Sequence, residues 1–150
     1  MATAGGSERF VDTNVLLAAC DESRPTHEAC QALFAAGLAG EASLYASGQI
    51  FREFLVVATR PIESNGLGMD PADALGNLDE FSRCIHLLDD TGAVSRRLRE
   101  LTRQHKLRGK RIHDANLVAT MLENGMSKLV TDNPGDFETF PEIAILPPAS

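Results

Sequence analysis

Five acidic residues stand where a carboxylate is hard to explain as surface decoration. Asp12 ends the run Arg9-Phe10-Val11, while Asp132 and Asp136 follow a second run, Lys128-Leu129-Val130. Glu53 has Ile50 three residues before it and Val57 four after. Asp114 has Leu117, Val118 and Met121 at similar intervals, so each of these two acids lies on an otherwise apolar helix face. An acid placed there costs free energy unless it is partnered. Singly, each has an ordinary role: Asp12 as a helix cap, Asp114 as an acid favoured at a helix N-terminus, Asp132 and Asp136 as turn formers. Jointly they have another. Three or four converging carboxylates must take up protons or be neutralised, and a hard divalent cation with oxygen ligands neutralises them. Mg²⁺ in such a site keeps several waters and shares itself with a phosphate group. That arrangement steadies the attacking and leaving oxygens of an in-line displacement, which is hydrolysis of a phosphodiester. The residues leave the number of metals, one or two, open.

The elements that must position these acids follow from hydrophobic periodicity. Arg9 to Thr13 reads as a strand and Asn14 to Cys20 as the start of a helix. Pro25 suits a first helical turn, with Ala29, Leu33 and Phe34 continuing a helix that Gly37 and Gly40 close. Ser43 to Ala46 is a second strand, and Ile50, Phe54, Val57 and Ala58 mark a helix stopped by Pro61. Ile62 to Met69 reads as a flexible surface connection. Asp70-Pro71 opens a helix to about Phe81, Ile85 to Leu88 is a third strand, and Ala93, Val94, Leu98 and Leu101 mark a helix broken by Gly109. Ile112 to Glu123 is helical, Lys128 to Thr131 is a fourth strand, and Ile143 to Leu146 a short fifth. Strands alternating with helices predict a single α/β domain, a three-layer α/β/α sandwich on a mostly parallel sheet of four to five strands, because parallel strands need crossovers. Residues 1–8 read as an extension ahead of it. Ligands of such sheets gather outside the carboxyl ends of the strands, where Asp12, Asp132 and Asp136 fall.

Composition narrows the partners. The chain has 150 residues and a net charge of -7, which by itself argues against a nucleic-acid ligand. The charge is uneven, however: eight of the 14 Lys and Arg lie between Arg96 and Arg111, with a single acid, Glu100. Such a run is a solvated face or a nucleic-acid contact. Cys20, Cys30 and Cys84 are odd in number and lack metal spacing, and so read as buried thiols of a reducing compartment. No run approaches membrane-span length and no leader pattern opens the chain, so a cytoplasmic protein is expected.

With these residues in view, the chain resembles the PIN domains, in particular the VapC-type toxins of bacterial toxin–antitoxin pairs. The resemblance rests on Phe10-Val11-Asp12-Thr13-Asn14, on Arg52-Glu53-Phe54-Leu55 leading to Thr59-Arg60-Pro61, on Ile112-His113-Asp114-Ala115-Asn116-Leu117-Val118-Ala119, and on Leu129-Val130-Thr131-Asp132-Asn133 with Asp136-Phe137. It implies a metal-dependent endoribonuclease using Mg²⁺ or Mn²⁺, with Asp12, Glu53 and Asp114 as the first three acids. Thr13, Asn14, Asn116, Thr131 and Asn133 would be auxiliary, hydrogen-bonding the carboxylates or the metal's waters. The commonest family pattern puts an aspartate where this chain has Asn133, so either Asp132 or Asp136 would serve as the fourth acid. Asp136 is favoured because Asp-Phe is itself part of the motif. The resemblance further implies an antitoxin peptide in an apolar groove, a homodimer, and an RNA backbone held by Arg103, Lys106, Arg108, Lys110 and Arg111, the last three nearest the chemistry. His113 and His86 are expected to be structural. With one Tyr and no Trp, extensive base stacking is not expected.

Rival readings fit less well. A receiver-like phosphoacceptor domain wants paired acids after its first strand, and a dehalogenase-type phosphatase wants Asp-x-Asp where this chain has Asp12-Thr13-Asn14. No Walker loop or GxGxxG provides a phosphate cradle. A PIN-like module that binds RNA or a partner without cutting is the remaining alternative.

Overall fold

Strand β1 (Glu8–Val11) is the middle strand of a five-stranded sheet whose order is β3-β2-β1-β4-β5. The computed structural model describes residues 8–149. The expected N-terminal extension therefore lies outside the described residues, except that Glu8 opens β1. The remaining strands are β2 (Ser43–Ser47), β3 (Ile85–Leu88), β4 (Lys128–Val130) and β5 (Ala144–Leu146). Every pairing is parallel, with Phe10 opposite Tyr45 on one side and Leu129 on the other. The sheet is thus fully parallel, as its burial demands: Phe10, Val11, Leu44, Leu129 and Val130 have no exposed surface.

Among the described residues six α-helices cover the faces: α1 (Thr13–Cys20), α2 (His27–Leu38), α3 (Gly48–Thr59), α4 (Pro71–Ser82), α5 (Gly92–His105) and α6 (Arg111–Glu123). From β1 the chain steps outward to β2 and then β3, so right-handed crossovers put α1 to α4 on one face. The return from β3 past β1 to β4 runs the opposite way, which puts α5 and α6 on the other. The packing agrees, with α1 against α2 and α3, α3 against α4, and α5 against α6. This is the three-layer sandwich, and its topological switch lies between β1 and β4. The crevice outside the carboxyl ends of those two strands is where such sheets bind ligands.

Several boundaries differ from the sequence reading. Helix α2 begins at His27, leaving Pro25 in the preceding turn, and runs past Gly37, whose missing Cβ lets the helix sit on Leu44 (a Cβ there would stand 2.9 Å from the Leu44 side chain). Helix α5 ends at His105, where Lys106 takes a left-handed conformation, four residues before Gly109. The connection after α3 is folded rather than loose. It forms a 3₁₀ turn (Ile62–Ser64), and the amides of Leu67, Gly68 and Met69 donate to the carbonyls of Val57, Arg60 and Ala58. Gly66 is pressed against the Arg60 carbonyl, leaving no room for a side chain. The three cysteines are free, but only Cys30 is fully buried. No helix among the described residues is long and apolar enough to cross a membrane.

Candidate active site

Asp12 leaves β1 and caps α1, its Oδ1 accepting from the Thr13 amide at 2.8 Å. Across the switch point, Thr131 follows β4 and its hydroxyl donates to Asp12 Oδ2 at 2.8 Å. Asn14 completes the join, donating to Asp12 Oδ2 and to Thr131 Oγ1 while its own Oδ1 accepts from the Asp132 amide. The two strand ends are therefore tied by side chains as well as by the Asp12 amide, which donates to the Val130 carbonyl. Thr13 faces the next acid: its hydroxyl lies 3.4 Å from Glu53 Oε2.

Glu53 and Asp114 arrive from opposite layers, on α3 and in the first turn of α6. The two candidates for the fourth acid are placed differently. The Asp132 carboxylate turns away and accepts from the Thr26 hydroxyl at 2.8 Å, which ties the β4 exit to the start of α2. Asp136, held by Asn133 Nδ2 at 2.9 Å, lines the same space as Asp12, Glu53 and Asp114. Asp132 thus points toward α2 while Asn133 holds Asp136 at the cleft. Asn116 lies one step behind the acids. Its amide reaches no acid of the cluster, donating to Gln49 Oε1 at 2.9 Å and lying 3.5 Å from Asp90 Oδ2.

Two clefts meet at these acids. One, of about 330 Å³, is walled by Arg52, Lys110 and His113 with Glu53, Asp114 and Asp136. The other, of about 340 Å³, adds Asp12 and is lined by Leu17, Val56, Val57 and Leu117. Lys110 is the one residue of the expected RNA-binding set on these walls. Arg103, Lys106 and Arg108 are exposed beyond them, and Arg111 turns to donate to the Thr139 hydroxyl at 2.6 Å. Helix α5 ends before the run does, so its charges fan out rather than lining one wall. Arg52 and Gln49 were not anticipated. Gln49 sits one helical turn before Glu53, an i,i+4 relation that would have flagged it. Arg52 is a lone cation beside an acid and invisible to a search for runs. His113 is exposed on the polar wall rather than structural, and His86 is an exposed ring stacked 5.0 Å from Tyr45.

The acids feel one another. Burial pushes the Asp12 carboxyl up to about 6, with Glu53 and Asp136 adding to the rise against the hydrogen bonds of Thr131 and Thr13. Asp114 also rises to about 6, first through burial and then through Asp136, Asp12 and Glu53, with Arg111 opposing. Among the described residues the ion pairs lie elsewhere, at Arg24–Asp21, Arg83–Glu80, Arg97–Glu123 and His105–Glu142. The cluster is left without a basic side chain at ion-pair distance. Nor do three of its acids close into a ready-made ligand set. Hydrated Mg²⁺, which takes one or two carboxylates and keeps its waters, does not require such a set.

Comparison with known proteins agrees with this architecture. A model of the PIN domain family matches residues 9–143. Among solved structures, VapBC2 from Rickettsia felis bound to a DNA fragment from its promoter superposes with a TM-score of 0.70 at 15% identity, covering 93% of this chain and 98% of the other. DNA-bound VapBC from Salmonella typhimurium gives 0.68 at 20% identity, with 94% and 98% covered. Mycobacterium tuberculosis VapC20, a Sarcin-Ricin loop cleaving toxin, gives 0.65 at 18%, with 90% and 98% covered. A search of curated protein sequences finds no match.

Proposed function

The chain belongs to the PIN domain family, and from that membership we propose that it is a metal-dependent endoribonuclease, the toxin of a toxin–antitoxin pair. The observation that carries the reading is the convergence of Asp12, Glu53, Asp114 and Asp136 from four separate elements on one cleft, with no ion pair to any of them among the described residues. A Sarcin-Ricin loop cleaving toxin and a promoter-bound VapBC complex share the fold, which supports the reading.

Asp12 and Asp114 would hold a Mg²⁺ or Mn²⁺ ion, with Glu53 and Asp136 beside them. When bound, that ion supplies positive charge to the phosphate oxygens and activates the attacking water. The protein's own residues do the rest. Thr131, Thr13 and Asn14 hold the Asp12 carboxylate in one orientation, so ion binding needs little reorganisation. Arg52 and Lys110 face the acids across the polar cleft and give the RNA phosphates a counter-charge that the acids alone would repel. Leu17, Val56, Val57 and Leu117 offer an apolar seat for an antitoxin segment, from which an arginine would reach the carboxylates. A homodimer and a cytoplasmic location belong to the same reading.

The test is cleavage of a structured RNA by purified protein with Mg²⁺ or Mn²⁺, with EDTA, and with Asp12→Asn and Asp114→Asn. Metal-dependent cutting that both variants lose supports the reading. Cutting that survives EDTA and both substitutions overturns it, as does an RNA bound equally by all forms and never cut, which is the behaviour of a binding module.

A further inference from the structure

Gln49 is nearly fully buried (7% exposed) and every hydrogen-bonding position that matters on its amide is used between two helices. Its Nε2 donates to Glu53 Oε1 at 2.8 Å and to the His113 carbonyl at 3.0 Å, and its Oε1 accepts from Asn116 Nδ2 at 2.9 Å. The orientation is dictated by the partners: turned over, the amide would set its oxygen against a carboxylate and a carbonyl and its NH₂ against another NH₂. The His113 carbonyl belongs to the residue directly before Asp114. One side chain on α3 therefore grips the carboxylate of Glu53 and the backbone that carries Asp114 on α6.

We infer that Gln49 is a positioning residue that fixes Glu53 and Asp114 relative to each other for the divalent ion, with Asn116 acting through it. The inference rests on the metal-dependent reading above. Glu53 is a long side chain at the lip of two open clefts, and among the described residues its Oε2 has only the long contact to Thr13. Gln49 is its one short anchor among the described residues, at 2.8 Å. Asn116 in turn holds Gln49's oxygen and is itself steadied by Asp90, so Asp90, Asn116, Gln49 and Glu53 form one hydrogen-bonded series whose most buried member is Gln49. Partners that orient metal-binding carboxylates in this way commonly change metal affinity by about 10- to 100-fold when removed.

The experiment is calorimetric titration of the folded, metal-free protein with Mn²⁺, which reads the site without activity. Gln49→Met keeps the length and volume of the side chain and removes its three hydrogen bonds. Expected is a loss of Mn²⁺ affinity of about tenfold, a smaller loss for Asn116→Ala, and no further loss when Asn116→Ala is added to Gln49→Met, because a residue acting only through Gln49 has nothing left to act on. If Gln49→Met fails to fold, Asn116→Ala, which is half-buried, carries the test by itself: weakened Mn²⁺ binding supports the relay and wild-type affinity overturns it. Mn²⁺ affinity lost in Asp12→Asn but intact in Gln49→Met overturns the positioning role and leaves the metal site standing. Wild-type protein that binds no Mn²⁺, or Asp12→Asn that binds it equally, overturns both.

Discussion

The two clefts that meet at the carboxylates share Glu53, Asp114 and Asp136 yet are walled in opposite ways. One wall carries Arg52, Lys110 and His113, while the other carries Leu17, Val56, Val57 and Leu117. The difference follows from which turn of α3 each cleft borders. Arg52 and Val56 are a turn apart on α3 and both are exposed, so α3 presents a cation at one end of the acids and bare hydrocarbon at the other. A polyanion gains on the first wall and nothing on the second. The acids are a common floor to two sites with different chemistry, and changes on the walls should separate what changes on the floor abolish.

The floor gives the largest effect. Asp12→Asn and Asp114→Asn are expected to lower metal-dependent RNA cleavage by on the order of 10³-fold, since charge stabilisation by a bound ion is worth several kcal/mol. Single-turnover cleavage at saturating Mg²⁺ measures it.

The floor also has a stability signature without metal. The folded-state carboxyl of Asp12 lies at about 6 against an ordinary 3.8, so the native state favours the proton and stability falls as pH rises from about 4 through about 6. At pH 7 in EDTA, Asp12→Asn should therefore be more stable than wild type by up to about 3 kcal/mol, with the Thr131 hydroxyl turning to suit the new amide. The advantage should vanish near pH 4. Urea melts at the two pH values check this, and a variant less stable than wild type at pH 7 would mean that the acids are already relieved by something other than a metal.

The walls come next. Arg52→Ala and Lys110→Ala are each expected to weaken RNA binding several-fold, and each to flatten the dependence of log affinity on log salt by about 0.7 to 0.9, the share of one phosphate contact. Filter binding in EDTA across a salt series reads this apart from cleavage. The smallest effect belongs to the apolar wall. Val56 is 54% exposed, so Val56→Ser should change stability by no more than about 0.5 kcal/mol and leave RNA affinity unaltered. An RNA defect equal to that of Arg52→Ala would erase the distinction between the walls.

Strand ends and helix faces were the legible part of this molecule. Asp12 is placed by the end of an apolar run, and Glu53 and Asp114 by apolar neighbours at helical intervals, and these local patterns survive folding. The strand order was not legible from such patterns, because pairing partners such as Phe10 and Leu129 are chosen by long-range packing. The fourth acid was narrowed to two because Asp132 and Asp136 share one loop. What separates them is a threonine far away in sequence, Thr26, that claims one of the pair. Charge runs were the least transferable signal. Arg96 to Arg111 spans a helix end, a left-handed turn at Lys106 and the start of α6, so adjacent cations point to different partners. The cation opposite Lys110 comes instead from α3, as Arg52.

The middle position of β1 has a consequence for synthesis. Its partner β4 lies at Lys128–Val130, and Thr131 and Asp136, which respectively orient Asp12 and complete the cluster, come later still. A chain emerging from the ribosome N-terminal end first can pack α1 to α4 against β1, β2 and β3 while one edge of β1 stays open. The acids cannot assemble on that intermediate. A chain that stops before β4 carries Asp12, Glu53 and Asp114 in its sequence but lacks Thr131 and Asp136, so the four acids come together only once that strand and the loop after it have been added.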